Sequence, residues 1–440
     1  MHAIRLRALG DPARLVYEEL ETPRPGPGEA LVRVCAAAIT RDELTWPVDR
    51  LPAIPSYEFS GVVAAVGLGV ESPAAGDGVY ALSGFDRDGA AAEYVVLPAA
   101  YLAPKPQTLT HVESAAIPLA GLSAWQGLFD HGGLAHGERV LIHGAAGGVG
   151  GFAVQLARVR GAYVIGTTST ANVARARALG AHEVIDNTRT RFEDAIAPVD
   201  VVVDTSGGDR LRRSCAIVRP GGRIVSVAEE PPREECQGAG IGATYFVVEP
   251  NRGQLIELAR LADRGDLRPM IDQTFPLAAA REAFERSLGP ARFGKIVLHV
   301  ADLEETMWTH EDSIETSALP PRVWEFFSDV ARWKDWNAGI ERIEIQGPFA
   351  QGTTFTMQPP GQDALSSTLI EVRPSESFTD ETVVGETRVL VSHQLVQLQS
   401  GRTKIIYRTE ITGPGAEEFG PMVTSDFPNV LAALKKLAEQ

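Results

Sequence analysis

The feature that most constrains this chain is a glycine-rich stretch, Gly144–Gly150. It follows an apolar run with strand character, Arg139–His143, and precedes a segment with helical spacing, Phe152–Arg160. Glycine lets a backbone turn tightly and approach a pyrophosphate, and a helix start offers free N–H groups and a positive dipole to phosphates. An ordinary tight turn is the alternative interpretation. Because the strand, the loop, the helix and a further strand occur in the required order, the sequence favours a dinucleotide-binding site.

The loop and the strand that follows it predict the residues that contact the cofactor. The loop positions are Ala146, Gly147, Gly148 and Val149. An acidic residue about 20 positions beyond such a loop favours NAD. This chain instead has Thr167 and Ser169 in that region, with Arg175 on the next helical segment. Hydroxyl groups near an arginine suit a 2′-phosphate, so we expect NADPH. The alternative is that the arginine belongs to a solvated helix face.

The pattern of the surrounding segments predicts two kinds of sheet. Residues 1–122 are short β-rich segments broken by glycine and proline, which is typical of a compact, partly open β-barrel. Residues 123–264 alternate strand, turn and helix, which indicates a doubly wound parallel sheet with crossover helices. The apolar strand Gly294–Leu298 is expected to return to the first domain, which then comprises residues 1–122 and 265–300.

Composition limits the partners and the compartment. The 440 residues carry a net charge of −16, which argues against nucleic acid or an anionic membrane surface as the main partner. The three widely spaced cysteines predict neither a disulfide framework nor a Cys-x-x-Cys metal or redox site. The start of the chain lacks a signal-peptide profile, and no apolar run approaches the roughly 18 residues of a membrane span. We therefore expect a cytoplasmic, reduced protein that is not embedded in a membrane.

Residues 1–300 resemble the medium-chain dehydrogenase/reductase superfamily, specifically its zinc-independent quinone oxidoreductase branch. The resemblance rests on six segments, Ala145–Gly150, Ser114–Pro118, Ser123–Trp125, Ala174–Ala181, Asp204–Gly208 and Gly294–Leu298. It implies a split GroES-like catalytic domain, a Rossmann domain and hydride transfer in the cleft between them. It also implies a homodimer formed through the Rossmann sheet. Asp204 and Ser206 are expected over the nicotinamide half of the cofactor, unless they form an ordinary strand-to-helix turn, and Lys295 is assigned to the cofactor-binding set.

The resemblance also predicts what replaces a metal site. Zinc-containing members place cysteine, Gly-His-Glu and a second cysteine around the reacting group, where this chain has Thr40, Tyr57 and Leu119. Without soft ligands a tetrahedral zinc site is not expected. Tyr57 and Thr40 are the candidates for stabilising an enolate-like oxygen or delivering a proton. Trp46 is expected to line the substrate cleft. Tyr57 packed as a core aromatic and Trp46 filling space are the alternatives.

The C-terminal part of the chain forms a separate α+β pattern. An acidic stretch near residues 300–312 predicts a linker, placed at residues 301–308, before a domain of residues 309–440. Pro320 opens a helical segment, Thr403–Ile411 is a strand and Val430–Leu437 is an amphipathic helix. This part resembles the polyketide cyclase/START-like superfamily, which implies a helix-grip fold around a mostly apolar cavity for a small hydrophobic or aromatic molecule. His393 is the candidate ligand-binding residue, with a structural histidine as the alternative.

Three functions follow for the whole chain. The first is an NADPH-dependent, zinc-independent reductase of an α,β-unsaturated carbonyl compound or a quinone, whose C-terminal domain binds or cyclises the substrate or product. Such a fusion holds two sites at high effective concentration. The second is the same reductase with a non-catalytic ligand-binding tail. The third is a binding or sensing protein that only retains the cofactor.

Overall fold

The chain divides into two compact units in the computed structural model, Met1–Asp302 and Leu303–Gln440. The structure describes residues 1–289, 293–301, 308–384, 387–413 and 416–440. Most of the predicted linker, residues 301–308, lies outside the described residues. The acidic stretch around it is not a linker throughout, because Glu311 and Asp312 belong to a strand that begins at Trp308.

The first unit begins with a largely antiparallel β sheet. Its central strand β3 pairs with both β4 and β6, and β4 pairs in turn with β5. Residues 34–39 of β3 are buried on both faces, because neighbouring segments cover the two sides of this apolar run. The strands of this part are β1 (His2–Leu6), β2 (Leu15–Glu19), β3 (Glu29–Ile39), β4 (Glu58–Val66), β5 (Gly78–Leu82), β6 (Tyr94–Pro98) and β7 (Ala103–Pro104).

A six-stranded parallel sheet follows, in the order β10-β9-β8-β11-β12-β13. Its elements are α1 (His111–Ala115), α2 (Pro118–Trp125), β8 (Arg139–His143), α3 (Gly148–Val159), β9 (Tyr163–Thr168), α4 (Val173–Ala178), β10 (Glu183–Asp186), β11 (Val199–Asp204), α5 (Asp209–Arg213), β12 (Val218–Ser226), α6 (Arg233–Gly238), β13 (Gly242–Tyr245) and α7 (Arg252–Asp263). β11 is buried on both faces, as expected for a central parallel strand. The predicted doubly wound sheet is confirmed. Its strand order reverses between β8 and β11, so a crevice opens beyond their carboxyl ends.

The glycine loop enters its helix earlier than the sequence predicted. α3 begins at Gly148, one turn before Phe152, so the glycines themselves form its first turn. The neighbouring strand β9 also needs a glycine, because a Cβ on Gly166 would lie 2.6 Å from the Cβ of Ala145. The loop therefore lies directly against the strand beside it.

The last part of the first unit returns to the first sheet. It contains β14 (Ile271–Pro276), α8 (Ala280–Leu288) and β15 (Lys295–His299). β15 runs antiparallel to β3, with Leu298 opposite Ala37, and its other edge pairs with β14. Strands of one sheet thus precede and follow the parallel sheet in the sequence. As a result, Lys295 at the start of β15 lies next to strand β3, which belongs to the first 60 residues.

The sequence predicted no disulfide framework, but the structure pairs two of the three cysteines. Cys215 and Cys236 form a disulfide, and their Cα atoms are 5.6 Å apart. Cys215 follows α5 and Cys236 lies in α6, and both belong to one apolar cluster on the parallel sheet. Their separation of 21 residues matches no metal or redox motif, so sequence spacing gave no signal for the pair.

The second unit contains a seven-stranded antiparallel sheet in the order β16-β22-β21-β20-β19-β18-β17. Its elements are β16 (Trp308–Thr316), α9 (Pro320–Ser328), β17 (Arg342–Ile345), β18 (Thr354–Gln358), β19 (Leu365–Arg373), β20 (Ser377–Val384), β21 (Thr387–Gln397), β22 (Thr403–Thr412), α10 (Ala416–Thr424) and α11 (Phe427–Ala438). The predicted helix at Pro320, the strand Thr403–Ile411 and the C-terminal helix are confirmed.

Aromatic side chains fill the core of the second unit. Residues on β22 alternate between buried and more exposed positions, which gives the sheet an inner face turned towards the helices. α9 places Phe326 and Phe327 in this core, where they are almost fully buried, and α11 contributes Phe427. Phe378 of β20 packs edge-on against Phe327, with ring centroids 5.2 Å apart. The inner face is therefore surrounded by apolar rings.

In the part of the chain that the structure describes, no helix is long and apolar enough to cross a membrane.

Candidate functional site

The glycine loop has a backbone shape that only glycine permits at two positions. Gly144 has φ of +75°, and a Cβ there would lie 2.5 Å from the hydroxyl oxygen of Thr205. A Cβ on Gly150 would lie 2.1 Å from the carbonyl oxygen of Gly144. Gly147 precedes α3 in an extended conformation and provides no side-chain cap. The first amides of α3 therefore have no acceptor within the helix, which suits a pyrophosphate.

Hydrogen bonds from two strands hold this loop in place. The amides of Gly144 and Ala145 donate to the carbonyl oxygen of Thr167, at 3.1 and 3.0 Å. On the other side, the amide of Gly294 donates to the carbonyl oxygen of Ala146 at 3.1 Å. A Cβ on Gly148 would lie 2.9 Å from Cδ of Lys295. The loop thus lies between β9 and the start of β15, with Val149 partly buried in the first turn of α3.

The hydroxyl group of Thr167 points inward, away from any cofactor phosphate. Its Oγ1 is 2.9 Å from Nδ1 of His143, and both side chains are fully buried. Burial lowers the pKa of His143 to about 4, so the ring is neutral. The hydroxyl of Ser214 donates to the carbonyl of Arg210 and so accepts from Nε2 of His143. Nδ1 is then the acceptor and Thr167 the donor. Thr167 contributes to the site through its backbone carbonyl.

Ser169 and Arg175 lie together beyond the end of β9. The guanidinium of Arg175 donates to Oδ1 of Asn172 at 2.8 Å, and it stacks over the ring of Phe293, 4.1 Å from the centroid. The amide of Asn172 reaches the hydroxyl of Ser169 at 3.4 Å. The Arg175 side chain is exposed, so its charge is available at the position where the sequence predicted a 2′-phosphate.

Asp204 holds the loop after β11. Its carboxylate is fully buried and accepts from the amide of Gly207 at 2.9 Å, from the hydroxyl of Ser226 at 3.0 Å and from the hydroxyl of Ser206 at 3.1 Å. Ser206 itself is exposed at the rim of the crevice. The next residue, Thr205, donates to the carbonyl of His143. Asp204 therefore shapes the loop, and Ser206 and the loop backbone are the groups that face the crevice.

A buried ion pair forms the other half of the site. The ammonium of Lys295 contacts Oε1 of Glu58, and the exposed fractions of the two side chains are 6% and 0%. Lys295 also donates to the hydroxyl oxygen of Thr40 at 3.1 Å. The second carboxylate oxygen of Glu58 accepts from the amide of Leu119 at 2.8 Å. Burial raises the pKa of Glu58, and Lys295 opposes that rise. The sequence assigned Lys295 to the cofactor-binding set, and the structure places its ammonium against Glu58 and Thr40.

A second buried carboxylate, Glu43, holds the backbone around the candidate catalytic residues. Its two oxygens accept from the amides of Thr40 at 2.8 Å and Ser56 at 2.9 Å. Ser56 has φ of +66°, a conformation that non-glycine residues rarely adopt and that surrounding contacts must stabilise. Burial raises the pKa of Glu43 to about 7, against the opposing effects of the two amides and Lys295. Glu43 therefore fixes the backbone on both sides of the site.

Tyr57, Trp46 and Phe85 form an aromatic wall beside this network. The ring centroid of Tyr57 is 6.1 Å from that of Trp46 and 5.1 Å from that of Phe85. Burial, with a contribution from Glu43, raises the pKa of Tyr57 to about 12, so its hydroxyl stays protonated. The structure brings Tyr57 and Trp46 together, with Tyr57 4% exposed and Trp46 partly buried. It adds Glu43, Glu58 and Phe85, which sequence reasoning missed. The sequence signal that could have found the ion pair is a charged residue, Glu58 or Lys295, at the first position of each of two apolar strands.

His393 belongs to the second unit and has neighbours of its own. It is 7% exposed, and its Nε2 is 3.1 Å from Oδ1 of Asp380 on the adjacent strand. Its ring stacks on Phe378 and meets the ring of Tyr407 edge-on, with centroids 4.1 and 4.2 Å apart. The structure thus gives this histidine a buried carboxylate partner within an aromatic environment.

Comparison with known proteins identifies both units. Residues 26–107 match the alcohol dehydrogenase GroES-like domain, and residues 179–298 match the zinc-binding dehydrogenase model. Residues 307–439 match the polyketide cyclase/dehydrase and lipid transport model. A probable zinc-binding oxidoreductase, mitochondrial, from Arthroderma benhamiae is 31% identical, over 65% of this chain and 93% of its own length.

Two further relatives have names that describe a reaction. The 2-methylene-furan-3-one reductase of Solanum lycopersicum is 33% identical, over 62% of this chain and 71% of its own length. The structure of the quinone oxidoreductase from Coxiella burnetii is 32% identical, with a TM-score of 0.65 over 68% of this chain and 99% of that chain. The chain therefore belongs to the medium-chain dehydrogenase/reductase family of NAD(P)-dependent oxidoreductases and carries a polyketide cyclase/dehydrase domain at its C-terminal end.

We predict that Lys295→Met destabilises the protein by about 3–5 kcal/mol, because Glu58 would be left buried without its cation. The double variant Glu58→Gln/Lys295→Met should recover most of this loss, since neither charge remains and the glutamine oxygen can still accept from Leu119. Urea unfolding of the single and double variants measures the coupling. Arg260→Met, which removes an exposed ion pair, is the control and should change stability by less than about 1 kcal/mol. Equal losses in the single and double variants would contradict the prediction.

We predict a pH-dependent loss of stability that is caused by Glu43. Its folded pKa, about 7, lies above the ordinary value of 4.5, so its contribution to stability is full below pH 4.5 and is lost as the pH rises through 7. The loss amounts to about 3 kcal/mol at most. Urea unfolding between pH 5 and pH 8 should show a steeper decline for the wild type than for Glu43→Gln. The variant is less stable at every pH, because an amide oxygen can serve only one of the two N–H groups. Parallel profiles would contradict the assignment.

Proposed function

We propose that the first unit reduces an α,β-unsaturated carbonyl compound or a quinone with NADPH and without zinc. The observation that carries this proposal is the bond from the Lys295 ammonium to the oxygen of Thr40. An ammonium group only donates, so the hydroxyl hydrogen of Thr40 is left for a substrate oxygen. Tyr57, the residue before Glu58, provides a second hydroxyl that stays protonated. Two such donors would suit a substrate oxygen that gains negative charge during reduction.

The side chains at this place do not fit a zinc ion. The hydroxyl oxygen of Thr40 is bound to Lys295, the carboxylate of Glu58 is paired with the same ammonium, and Leu119 has no ligand atom. The ammonium group of Lys295 thus already binds the two oxygen-bearing side chains that a metal ion would need as ligands. Within the described ranges, no group of three or more His, Cys, Asp or Glu side chains could hold a metal ion. Reduction of a conjugated acceptor suits this arrangement, because the acceptor's own conjugation spreads the charge that hydride addition creates.

The residues of the loop and of the two following strand ends fit a bound nicotinamide dinucleotide. When bound, the cofactor supplies a hydride to the conjugated acceptor. The amides at the start of α3 would bind the pyrophosphate, and Ser206 with its loop would face the nicotinamide half. Arg175 and Ser169 would bind the 2′-phosphate, which is the basis for proposing NADPH rather than NADH. The aromatic wall of Trp46, Tyr57 and Phe85 favours a flat, apolar acceptor.

We also propose that two copies of the chain associate through the parallel sheet. β13 lies at one end of its strand order, so the backbone groups of that edge are available for pairing. Val247, close to this strand, is 59% exposed. A homodimer joined along β13 would cover both features, and sedimentation equilibrium of the full chain would detect it.

Tyr57→Phe should lower kcat for enone reduction by roughly 10²-fold, because one donor to the charged oxygen is lost. The assay follows NADPH consumption with an aryl vinyl ketone and with naphthoquinone as acceptors. Tyr17→Phe, which alters a half-exposed tyrosine on β2, is the matched control and should leave the rate unchanged. If NADPH binds but no acceptor accelerates its oxidation, the reductase proposal fails and a cofactor-retaining binding protein is favoured.

Arg175→Ala should raise KM for NADPH by about tenfold and leave KM for NADH unchanged, because only NADPH carries the phosphate that the guanidinium would bind. Arg177→Ala, an exposed arginine on the same helix, is the control and should change neither constant. Initial rates at fixed acceptor concentration give both values. An equal rise in KM for the two cofactors would instead assign Arg175 to a shared part of the dinucleotide or to the fold.

A further inference from the structure

The inner face of the second unit's sheet carries a row of polar side chains that the helix-grip architecture does not require. Asp380, His393 and Tyr407 lie on β20, β21 and β22, and all three are more than nine-tenths buried. His393 and Tyr407 are directly opposite each other in the strand register, and Phe378 is opposite His393 on the other side. A core that only needed to be stable would place apolar side chains here. The cluster therefore calls for a chemical explanation.

The hydrogen bond between Asp380 and His393 sets the protonation pattern of the ring. An ionised carboxylate can only accept, so Nε2 of His393 carries the hydrogen that Asp380 accepts, at 3.1 Å. Nδ1 is then left with a free lone pair. It is buried and has no hydrogen-bond partner among the described residues. This is the arrangement of a base that is oriented by a carboxylate.

Tyr407 places a donor next to that base. Its ring centroid is 4.2 Å from that of His393, and its hydroxyl is likewise buried and without a partner in the described part of the chain. Burial, together with Asp380 and Asp426, raises the pKa of Tyr407 well above its usual range, so the group stays protonated. Leaving a buried hydroxyl unpaired is unfavourable, and a bound oxygen acceptor would offset that cost. The two rings that carry the free acceptor and the free donor are thus in edge-to-face contact.

The surroundings define what molecule would satisfy both groups. Phe327, Phe378 and Phe427 pack around the pair, so the bulk of the molecule must be apolar. On the same inner face, His310 and Asp312 of the edge strand keep side-chain exposures of 39% and 25%, so the polar row extends from the buried pair towards the surface. A ketone with an aryl or other apolar body and a hydrogen on its α-carbon offers a C–H to the base and an oxygen to the donor.

We propose that Asp380, His393 and Tyr407 form an acid–base site that converts an apolar ketone into its enolate and back. Nδ1 of His393 takes a proton from the α-carbon as the C–H bond breaks, and the electron pair moves to the carbonyl oxygen. That oxygen accepts a hydrogen bond from Tyr407, and Asp380 stabilises the imidazolium. Return of the proton to the carbon restores the ketone. The step needs no oxidant, reductant or second reactant, and it does not depend on the function proposed for the first unit.

The test is deuterium exchange at the α-carbon of an aryl ketone. Full-length protein without NADPH is incubated in D₂O with α-tetralone or propiophenone, and the loss of the α-hydrogen signal is followed by proton NMR. The wild type should exchange this position faster than buffer alone. His393→Phe should abolish the acceleration, and Tyr407→Phe should reduce it at least about tenfold. Ser392→Ala is the matched control, because this residue lies on β21 between inward positions and is bonded to Thr379.

Stability measurements separate a chemical role from a structural one. Tyr407→Phe removes a hydroxyl that has no partner among the described residues, so its thermal midpoint should equal or exceed that of the wild type while exchange is slowed. Reductase rates of the first unit should not change in the Tyr407 variant, so the two proposals can fail separately. The inference is wrong if the wild type accelerates exchange of neither ketone. It is also wrong if folded Tyr407→Phe and His393→Phe proteins exchange at the wild-type rate.

Discussion

The buried contact between Lys295 and Glu58 is the interaction on which the first unit depends. It joins the start of β15, near the end of that unit, to the start of β4, near its beginning. Neither charge could be buried alone, because an unpaired ion in a low-dielectric interior is strongly unfavourable. The pair therefore fixes the return of the chain to its first sheet. The same ammonium binds the oxygen of Thr40, so the interaction that closes the fold also sets the direction of a candidate catalytic hydroxyl.

Local patterns in the sequence were sufficient for the elements and for the cofactor loop. The glycines of Gly144–Gly150, the strand before them and the helix after them are neighbours in sequence, so their spacing predicts their geometry. The orientation of Thr167 could not be predicted, because it depends on His143, a residue of the adjacent strand. Asp204 was expected at the cofactor because it lies at the end of a strand that borders the crevice. The structure shows that its carboxylate binds the amide of Gly207 and so holds its own loop.

Contacts between distant segments explain the remaining differences. The disulfide of Cys215 and Cys236 arises because α6 and the segment after α5 pack in one apolar cluster on the parallel sheet, which no spacing rule anticipates. His393 was selected as a histidine of the expected sheet, where His310 also lies, but its partner Asp380 becomes visible only once β20 and β21 are in register. Alternation along a strand separates two faces, and it does not tell which face is buried.

Gly294 links the two halves of the first unit's site through a single peptide. Its amide bonds to the carbonyl of Ala146 in the cofactor loop, and the next residue is Lys295. A bridge between Gly147 and Gly294 strengthens the same junction. The loop and the ammonium that supports Thr40 therefore cannot shift independently. Such mechanical linkage couples the occupancy of one half to the geometry of the other, and by thermodynamic reciprocity each ligand alters the affinity for its companion by the same factor.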